Sequence, residues 1–174
     1  MRLFIAVNFG EEMQERLGKI IQKLQSQTVK GSFTRRENLH LTLVFIGETE
    51  EVDSVIRAMQ AVSAPSFILD IQGMGSFRRS GGDIYWLGVE HNPTLVSIYN
   101  QLCLSLRAAG FPMEKRKFKP HLTLGRRVVF PDFDSRTWAE LPPLRQRVDK
   151  ISLMKSERIA GKLTYTEIFA LHLD

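Results

Sequence analysis

The chain has 174 residues, of which 43% are hydrophobic and 25% are charged, and its formal net charge is +5. That length and composition are ordinary for one globular domain with a substantial core, and no apolar run approaches the ~20 residues that span a bilayer. They exclude a membrane-spanning helix, and the positive charge suits an anionic partner such as phosphate or RNA. The only cysteine, Cys103, lies in a helical apolar pattern, which predicts a buried thiol rather than a catalytic one.

The first half of the chain predicts three strands separated by two helices. The opening MRLFIAVNF is typical of a strand, and it is too short and too closely followed by glutamates for a secretory signal, so we expect a cytoplasmic protein. Residues 11–27 carry apolar side chains at helical spacing, and the next strand begins at His40 with the word His-Leu-Thr-Leu. Residues 50–64 predict the second helix, and residues 66–77 predict the third strand.

The second half repeats this order. Residues 83–90 predict a strand, and residues 93–110 predict a helix with a proline near its start and Gly110 at its end. The word His-Leu-Thr-Leu then returns at His121. The remaining predicted elements are a short helical turn in 131–143, a strand in 144–157, and hairpin loops in 77–86 and 156–165.

The two copies of the word occupy equivalent places in an internal repeat. Each histidine follows a valine of the preceding predicted strand, by 33 positions in the first half and by 32 in the second. The repeat divides the chain roughly into residues 1–80 and 81–174. We predict one α+β domain over residues 1–174, built of two pseudo-symmetric lobes. Each lobe is expected to be a mainly antiparallel sheet with outer helices, and the lobes are expected to meet at an active-site cleft.

The repeated word places two polar residues on one face of each strand. Because side chains alternate along a strand, His40 and Thr42 share a face, as do His121 and Thr123, while the leucines face the core. Two imidazoles around one point suit acid–base catalysis at a phosphodiester, in which one imidazole removes a proton from water and the other donates one to the leaving alkoxide. The threonine hydroxyls can donate hydrogen bonds to the phosphate oxygens, and no metal is required.

Two other interpretations of these histidines remain open at this point. A duplicated strand could keep the word for packing alone, although packing would preserve the leucines rather than the outward polar pairs. His40 and His121 could bind zinc, but neither word has a third ligand nearby at zinc-site spacing. His91 and His172 lack the threonine partner, and we expect them to face solvent or to cap other elements.

The phrases ENLHLTLVFIGE and FKPHLTLGR resemble the two HxTx motifs of the two-histidine (2H) phosphoesterase superfamily. Within it, the chain is most similar to bacterial and archaeal RNA 2′,3′-cyclic phosphodiesterases, originally described as 2′-5′ RNA ligases. The resemblance extends over nearly the whole chain, including the opening strand and the overall length. It implies a bilobal α+β fold and metal-independent hydrolysis of a 2′,3′-cyclic phosphate at an RNA end to a 2′-phosphomonoester.

The resemblance also implies roles for individual residues. His40 would protonate the departing 3′ oxygen, His121 would activate the attacking water, and Thr42 and Thr123 would hold the phosphate. These donor and acceptor labels come from the family, since the residues alone allow the two roles to be exchanged. No cofactor is implied.

Five further residues are candidates for substrate binding. Phe45 and Arg126 each lie five positions after a motif histidine, where they could stack on the terminal base and pair with phosphate. Strict alternation would instead turn Phe45 into the core and Arg126 to the leucine side, unless a bulge reverses it. Arg35, Lys119 and Arg127 flank the two words and could bind an RNA backbone, although such charges usually belong to a solvated face.

Three functions are compatible with these features. The first is hydrolysis of RNA ends that carry a 2′,3′-cyclic phosphate; the second is 2′-5′ joining of RNA by the same site run in reverse. The third is an RNA- or nucleotide-binding module whose histidines only recognise phosphate. We expect the partner to be RNA or an oligonucleotide, with no membrane and no obligate protein partner, and we expect a monomer. The sequence does not distinguish a tRNA fragment from other RNA, a mononucleotide or a small cyclic phosphate as natural substrate.

Overall fold

The computed structural model describes residues 1–132, 138 and 141–174. The predicted helical turn in 131–143 lies mostly outside these residues. The elements of the first half are β1 (Arg2–Asn8), α1 (Glu11–Ser26), β2 (Lys30–Phe33), a short 3-10 turn (Arg36–Asn38), β3 (His40–Glu48), α2 (Val52–Gln60) and β4 (Phe67–Phe77). Those of the second half are β5 (Asp83–Val89), α3 (Pro93–Ala108), β6 (His121–Val129), β7 (Leu144–Val148), β8 (Lys150–Ile159) and β9 (Lys162–His172).

The strands form two sheets, and every neighbouring pair is antiparallel. The four-stranded sheet has the order β3-β1-β8-β9, and the five-stranded sheet has the order β2-β6-β5-β4-β7. The predicted α+β fold with two antiparallel sheets is therefore confirmed. The two sheets also have matching centres, β3-β1-β8 and β6-β5-β4, in which each strand that begins with a motif histidine borders the first strand of its own half.

Each sheet contains strands from both halves of the chain. The third strand of each matching centre comes from the other half, since β8 completes the sheet of β1 and β3, and β4 completes the sheet of β5 and β6. The lobes therefore do not coincide with residues 1–80 and 81–174. The internal repeat remains a prediction about sequence, and the structure adds that each half contributes two strands to the sheet of the other: β8 and β9 join β1 and β3, and β2 and β4 join β5 and β6.

Three elements differ from the sequence-based expectation, the first being β9, for which the sequence predicted only the preceding hairpin loop in 156–165. The predicted strand in 144–157 is two strands, β7 and β8, which separate at Asp149 and belong to different sheets. Apolar residues stand on both sides of Asp149, but they shift from Leu144 and Val148, at even positions, to Ile151 and Leu153, at odd positions, and the single predicted strand overlooked this break. Strand β2 was not predicted, because four mostly exposed residues that include Gly31 are too short to show alternation.

The helices follow the predicted signals closely. α1 buries Met13, Leu17, Ile21 and Leu24, the apolar stripe seen in the sequence. α3 begins where the Asn92 side chain accepts a hydrogen bond from the backbone N–H three residues later, with a proline in its first turn. In the part of the chain that the structure describes, no helix combines the length and the apolar run needed to cross a membrane.

The main core joins both sheets to the helices. The first leucines of the two repeated words, Leu41 and Leu122, are fully buried in it, beside Leu17 of α1 and Leu102 of α3. The prediction that these leucines anchor their strands is confirmed. The opposite face of each strand, which carries the histidine and the threonine, is left for the cleft.

Candidate active site

A bulge in β3 sets which side chains reach the cleft. Thr42 and Val44 pair with consecutive residues of β1, so Leu43 between them has no partner. One extra residue reverses the alternation of side chains beyond it. Leu43 and Val44 are consequently both buried, and Phe45 returns to the face of His40 and Thr42 with 48% of its surface exposed.

The same bulge recurs in β6. Thr123 and Gly125 pair with consecutive residues of β5, which leaves Leu124 as the extra residue. Leu124 and Gly125 are buried, and the exposed Arg126 returns to the face of His121. The two strands therefore share both a sequence word and a backbone irregularity, and the residue five positions after each histidine faces the cleft.

Each imidazole is fixed by a hydrogen bond to a carbonyl two residues earlier. Nδ1 of His40 lies 2.7 Å from the carbonyl oxygen of Asn38, and Nδ1 of His121 lies 2.7 Å from that of Lys119. A carbonyl can only accept, so Nδ1 carries the proton in both rings and Nε2 is left for other chemistry. Nε2 of His40 lies 2.9 Å from Oγ1 of Thr42, within the same motif.

The two strands contact each other across the cleft, and their charges interact. The pKa of His40 is lowered below its ordinary value, chiefly because the half-buried ring is partly removed from water. Electrostatic interaction with Arg126 and with His121, both on β6, lowers it further, whereas the bond to the Asn38 carbonyl raises it. In the free protein, these effects favour a neutral imidazole at His40.

Aromatic rings from other strands surround His40. Phe4 of β1 lies with its ring centroid 4.9 Å from that of His40, and Tyr165 of β9 stands perpendicular to the imidazole at 5.1 Å. Sequence analysis missed both residues, because they are remote from the motif and belong to strands without a recognisable functional pattern.

His121 has a corresponding aromatic wall from β4 and β5. Phe77 packs perpendicular to its imidazole with the centroids 5.2 Å apart, and Trp86 lies at 6.0 Å. Gly75 makes room for the indole, since a Cβ there would lie 2.3 Å from the Trp86 ring. Substitution of Gly75 by a larger residue would therefore displace this wall.

A cleft of 530 Å³ is lined by residues of β3, by His121 of β6 and by the segment before β6. Thr42 and His121 are among its lining residues, and Phe45 and Phe77 form aromatic walls. This volume lies within the usual range for a pocket that holds a small organic ligand. Its charged lining residues are Arg79, Glu114, Arg116, Lys117 and Lys119, of which Glu114 and Arg116 form an ion pair at 3.4 Å.

The remaining candidate residues differ in their position relative to the cleft. Lys119 lines this cleft, and the backbone carbonyl of the same residue holds His121. Arg35 instead donates to the carbonyl of Leu163 on β9 and pairs with Glu37 at 3.0 Å. Arg127 is exposed beyond the β6 bulge with a positive φ of 53°. Of the described residues, neither His40 and Thr123 nor Arg35, Arg126 and Arg127 are among those that line this cleft, although Arg126 lies close enough to His40 for its charge to act on that ring.

Within 1–132, 138 and 141–174, no group of three or more His, Cys, Asp or Glu side chains is placed to hold a metal ion. Cys103 is buried, as predicted for a core thiol, although it also borders the cleft.

Comparison with known proteins agrees with this architecture. Residues 11–160 match the sequence model of the 2′-5′ RNA ligase superfamily. The chain is 34% identical to an RNA 2′,3′-cyclic phosphodiesterase of Thermotoga maritima, over 90% of this chain and 87% of the relative. It is 31% identical to one of Methanothermobacter thermautotrophicus, over 99% of both chains. A crystal structure of Escherichia coli LigT complexed with 3′-AMP matches with a TM-score of 0.83 and 26% identity, over 99% of this chain and 97% of that one.

Proposed function

This chain belongs to the 2′-5′ RNA ligase superfamily, and from that membership we propose that it hydrolyses RNA 2′,3′-cyclic phosphate ends to 2′-phosphomonoesters by two-histidine acid–base catalysis. The observation that carries the proposal is the paired geometry of β3 and β6. Each strand presents a carbonyl-fixed imidazole and a threonine on its cleft face, and each has the same bulge. Relatives with this activity in their names cover nearly the whole chain.

In the proposed reaction, a water molecule attacks phosphorus opposite the 3′ oxygen. Nε2 of neutral His121 takes the proton of that water as the new P–O bond forms. The P–O3′ bond breaks, and protonated Nε2 of His40 gives its proton to the departing 3′ oxygen. The products are a 2′-phosphomonoester and a 3′-hydroxyl, and exchange with solvent restores the two protonation states.

The lowered pKa of His40 is compatible with the role of acid once substrate is bound. A phosphodiester carries one negative charge, and an anion beside an imidazole favours its protonated form. Substrate binding therefore raises the pKa of His40 from its lowered value in the free protein. His40 acquires its proton together with the substrate that needs it.

The threonines complete the proposed phosphate site. Thr42 and Thr123 would donate hydrogen bonds to the non-bridging oxygens, on which charge grows in the transition state. The Thr42 hydroxyl contacts Nε2 of His40 in the free protein. When Nε2 is protonated, it no longer accepts from that hydroxyl, which becomes available to phosphate.

The cleft beside the histidines is the proposed place of the terminal nucleoside. The exposed ring of Phe45 could stack on a base, and the guanidinium of Arg2 already lies 5.1 Å from the centre of this ring. Arg126 would pair with phosphate, since it faces the cleft beyond the β6 bulge. Lys119 would bind the RNA backbone. Arg35 and Arg127 remain weaker candidates, because Arg35 is paired within the chain and Arg127, unlike Arg126, is not among the groups whose charge acts on His40.

Incubation with a short RNA that ends in a 2′,3′-cyclic phosphate tests this function. We expect hydrolysis at an unchanged rate in excess EDTA, because the proposed proton transfers use only imidazoles. Loss of activity on chelation would contradict the metal-free mechanism. A second RNA with a 5′-hydroxyl end, added to the same reaction, detects joining; a joined product without hydrolysis would favour the ligase alternative, and binding without turnover would favour a binding module.

A further inference from the structure

A small apolar cluster lies on the cleft face of the four-stranded sheet, separate from the main core. Phe4 and Ala6 of β1 and Met154 of β8 are almost completely buried in it, and Tyr165 of β9 packs against them. This face also carries the polar residues of β3, so the cluster lies next to His40. Apolar residues that are buried on the cleft side form the floor of the site.

Three rings at the edge of this cluster contact one another. The centroids of Phe4 and His40 are 4.9 Å apart, as are those of Phe4 and Tyr165, and the third pair is 5.1 Å apart. The interplanar angle between Tyr165 and His40 is 90°, an edge-to-face arrangement that aromatic pairs favour. The imidazole therefore lies between two rings contributed by two other strands.

We propose that Tyr165 is a positioning residue, whose ring holds the His40 imidazole in the orientation needed for proton transfer. The reason is that hydrogen bonds alone do not hold this ring throughout the reaction. The Asn38 carbonyl fixes Nδ1 permanently, but the Thr42 contact at Nε2 must be given up when Nε2 turns to the substrate. The ring of Tyr165, packed on Phe4, constrains the imidazole at that stage.

The ring of Tyr165 also keeps water away from His40. Groups whose charge lowers the pKa of His40 are Arg126 and His121, both of β6, and the Asn38 carbonyl opposes them. The Tyr165 hydroxyl contributes no charge near neutral pH, since burial raises its pKa above the ordinary value. Removal of the ring exposes His40 to solvent, so its pKa is expected to rise toward the ordinary histidine value.

The test compares Tyr165→Phe, which keeps the ring, with Tyr165→Leu and Tyr165→Met, which remove it; its kinetic arm rests on the proposed function. We expect Tyr165→Phe to retain wild-type kcat within about threefold, and the other two to lose about 10–100-fold in kcat with little change in KM. Thr166→Ala, at an exposed neighbouring position of β9, is the matched control. Thermal melting identifies any variant that fails to fold. If Tyr165→Leu fails to fold, Tyr165→Met, which preserves apolar volume, replaces it in the comparison.

An NMR titration of the His40 ring proton makes the test independent of turnover. We expect the pKa of His40 to rise in Tyr165→Leu and to stay unchanged in Tyr165→Phe and Thr166→Ala. An unchanged pKa together with kcat within twofold of wild type would overturn the proposal. Equal losses in Tyr165→Phe and Tyr165→Leu would also overturn it, because they would assign the effect to the hydroxyl. If wild-type protein hydrolyses no cyclic phosphate, the proposed function fails while the titration still decides the position of His40.

Discussion

The His40→Ala and His121→Ala variants are each expected to lose roughly 10²–10⁴-fold in kcat on an RNA with a 2′,3′-cyclic phosphate end. Each imidazole transfers one proton in the proposed transition state, and a methyl group can transfer none. KM should change much less than kcat, because Thr42, Thr123 and the basic lining of the cleft still bind the substrate. Steady-state kinetics on purified variants measure both constants.

The double variant is expected to be little slower than the slower single variant. Residues that act as one unit lose most of their joint effect when either is removed, so the losses do not multiply. His91→Ala is the matched control, since it removes an exposed histidine outside both motifs and should leave kcat unchanged. Retention of more than about a tenth of wild-type kcat by either motif variant would contradict the two-histidine mechanism.

The second large effect is a rescue that distinguishes the acid from the base. Sulfur in place of the bridging 3′ oxygen leaves as a thiolate, which needs no proton from the enzyme. With this substrate, His40→Ala is expected to recover most of its roughly 10²–10⁴-fold deficit, because the missing group is the general acid. His121→Ala should recover little, since its water still lacks a base.

The opposite pattern would be equally informative. Rescue of His121→Ala, with His40→Ala still slow, would show that the two roles are exchanged. That possibility follows from the near symmetry of the motifs, and the lowered pKa of His40 in the free protein makes the assignment worth testing. Ratios of rate on sulfur and oxygen substrates, measured for wild type and both variants, decide between the two arrangements.

The candidate catalytic residues could be predicted because the sequence repeats them. Alternation along a strand separates His40 and Thr42 from the leucines, and the second copy at His121 makes the pattern specific. Pro93 and Gly110 likewise mark the two ends of α3 as expected. These features depend on local backbone geometry, which can be predicted from a short stretch of sequence.

The bulges could not be predicted from the same stretch. Leu43 and Leu124 are ordinary strand residues, and whether one of them lacks a partner depends on the neighbouring strand. That register decides whether Phe45 and Arg126 face the core or the cleft. The sequence does not decide which face of its strand either side chain occupies, whereas in the structure both side chains lie on the cleft face.

Long-range contacts account for the remaining differences. Phe4 and Tyr165 reach His40 only because β1 and β9 join the same sheet as β3, and strand exchange between the halves is invisible in a sequence repeat. Arg35 illustrates the converse case. It lies close to the first motif in sequence. In the structure, however, its guanidinium donates to the carbonyl of Leu163 on β9 and pairs with the carboxylate of Glu37.

Phosphorus NMR of an oligonucleotide with a 2′,3′-cyclic phosphate end, incubated with protein and EDTA, tests the central claim most directly. The account predicts that the cyclic phosphate signal is replaced by that of a 2′-phosphomonoester, and that a His40→Ala, His121→Ala double variant leaves the signal essentially unchanged over the same time. A 3′-phosphomonoester as product would contradict the proposed bond cleavage. An unchanged cyclic phosphate with the wild-type protein would contradict the proposed hydrolysis itself.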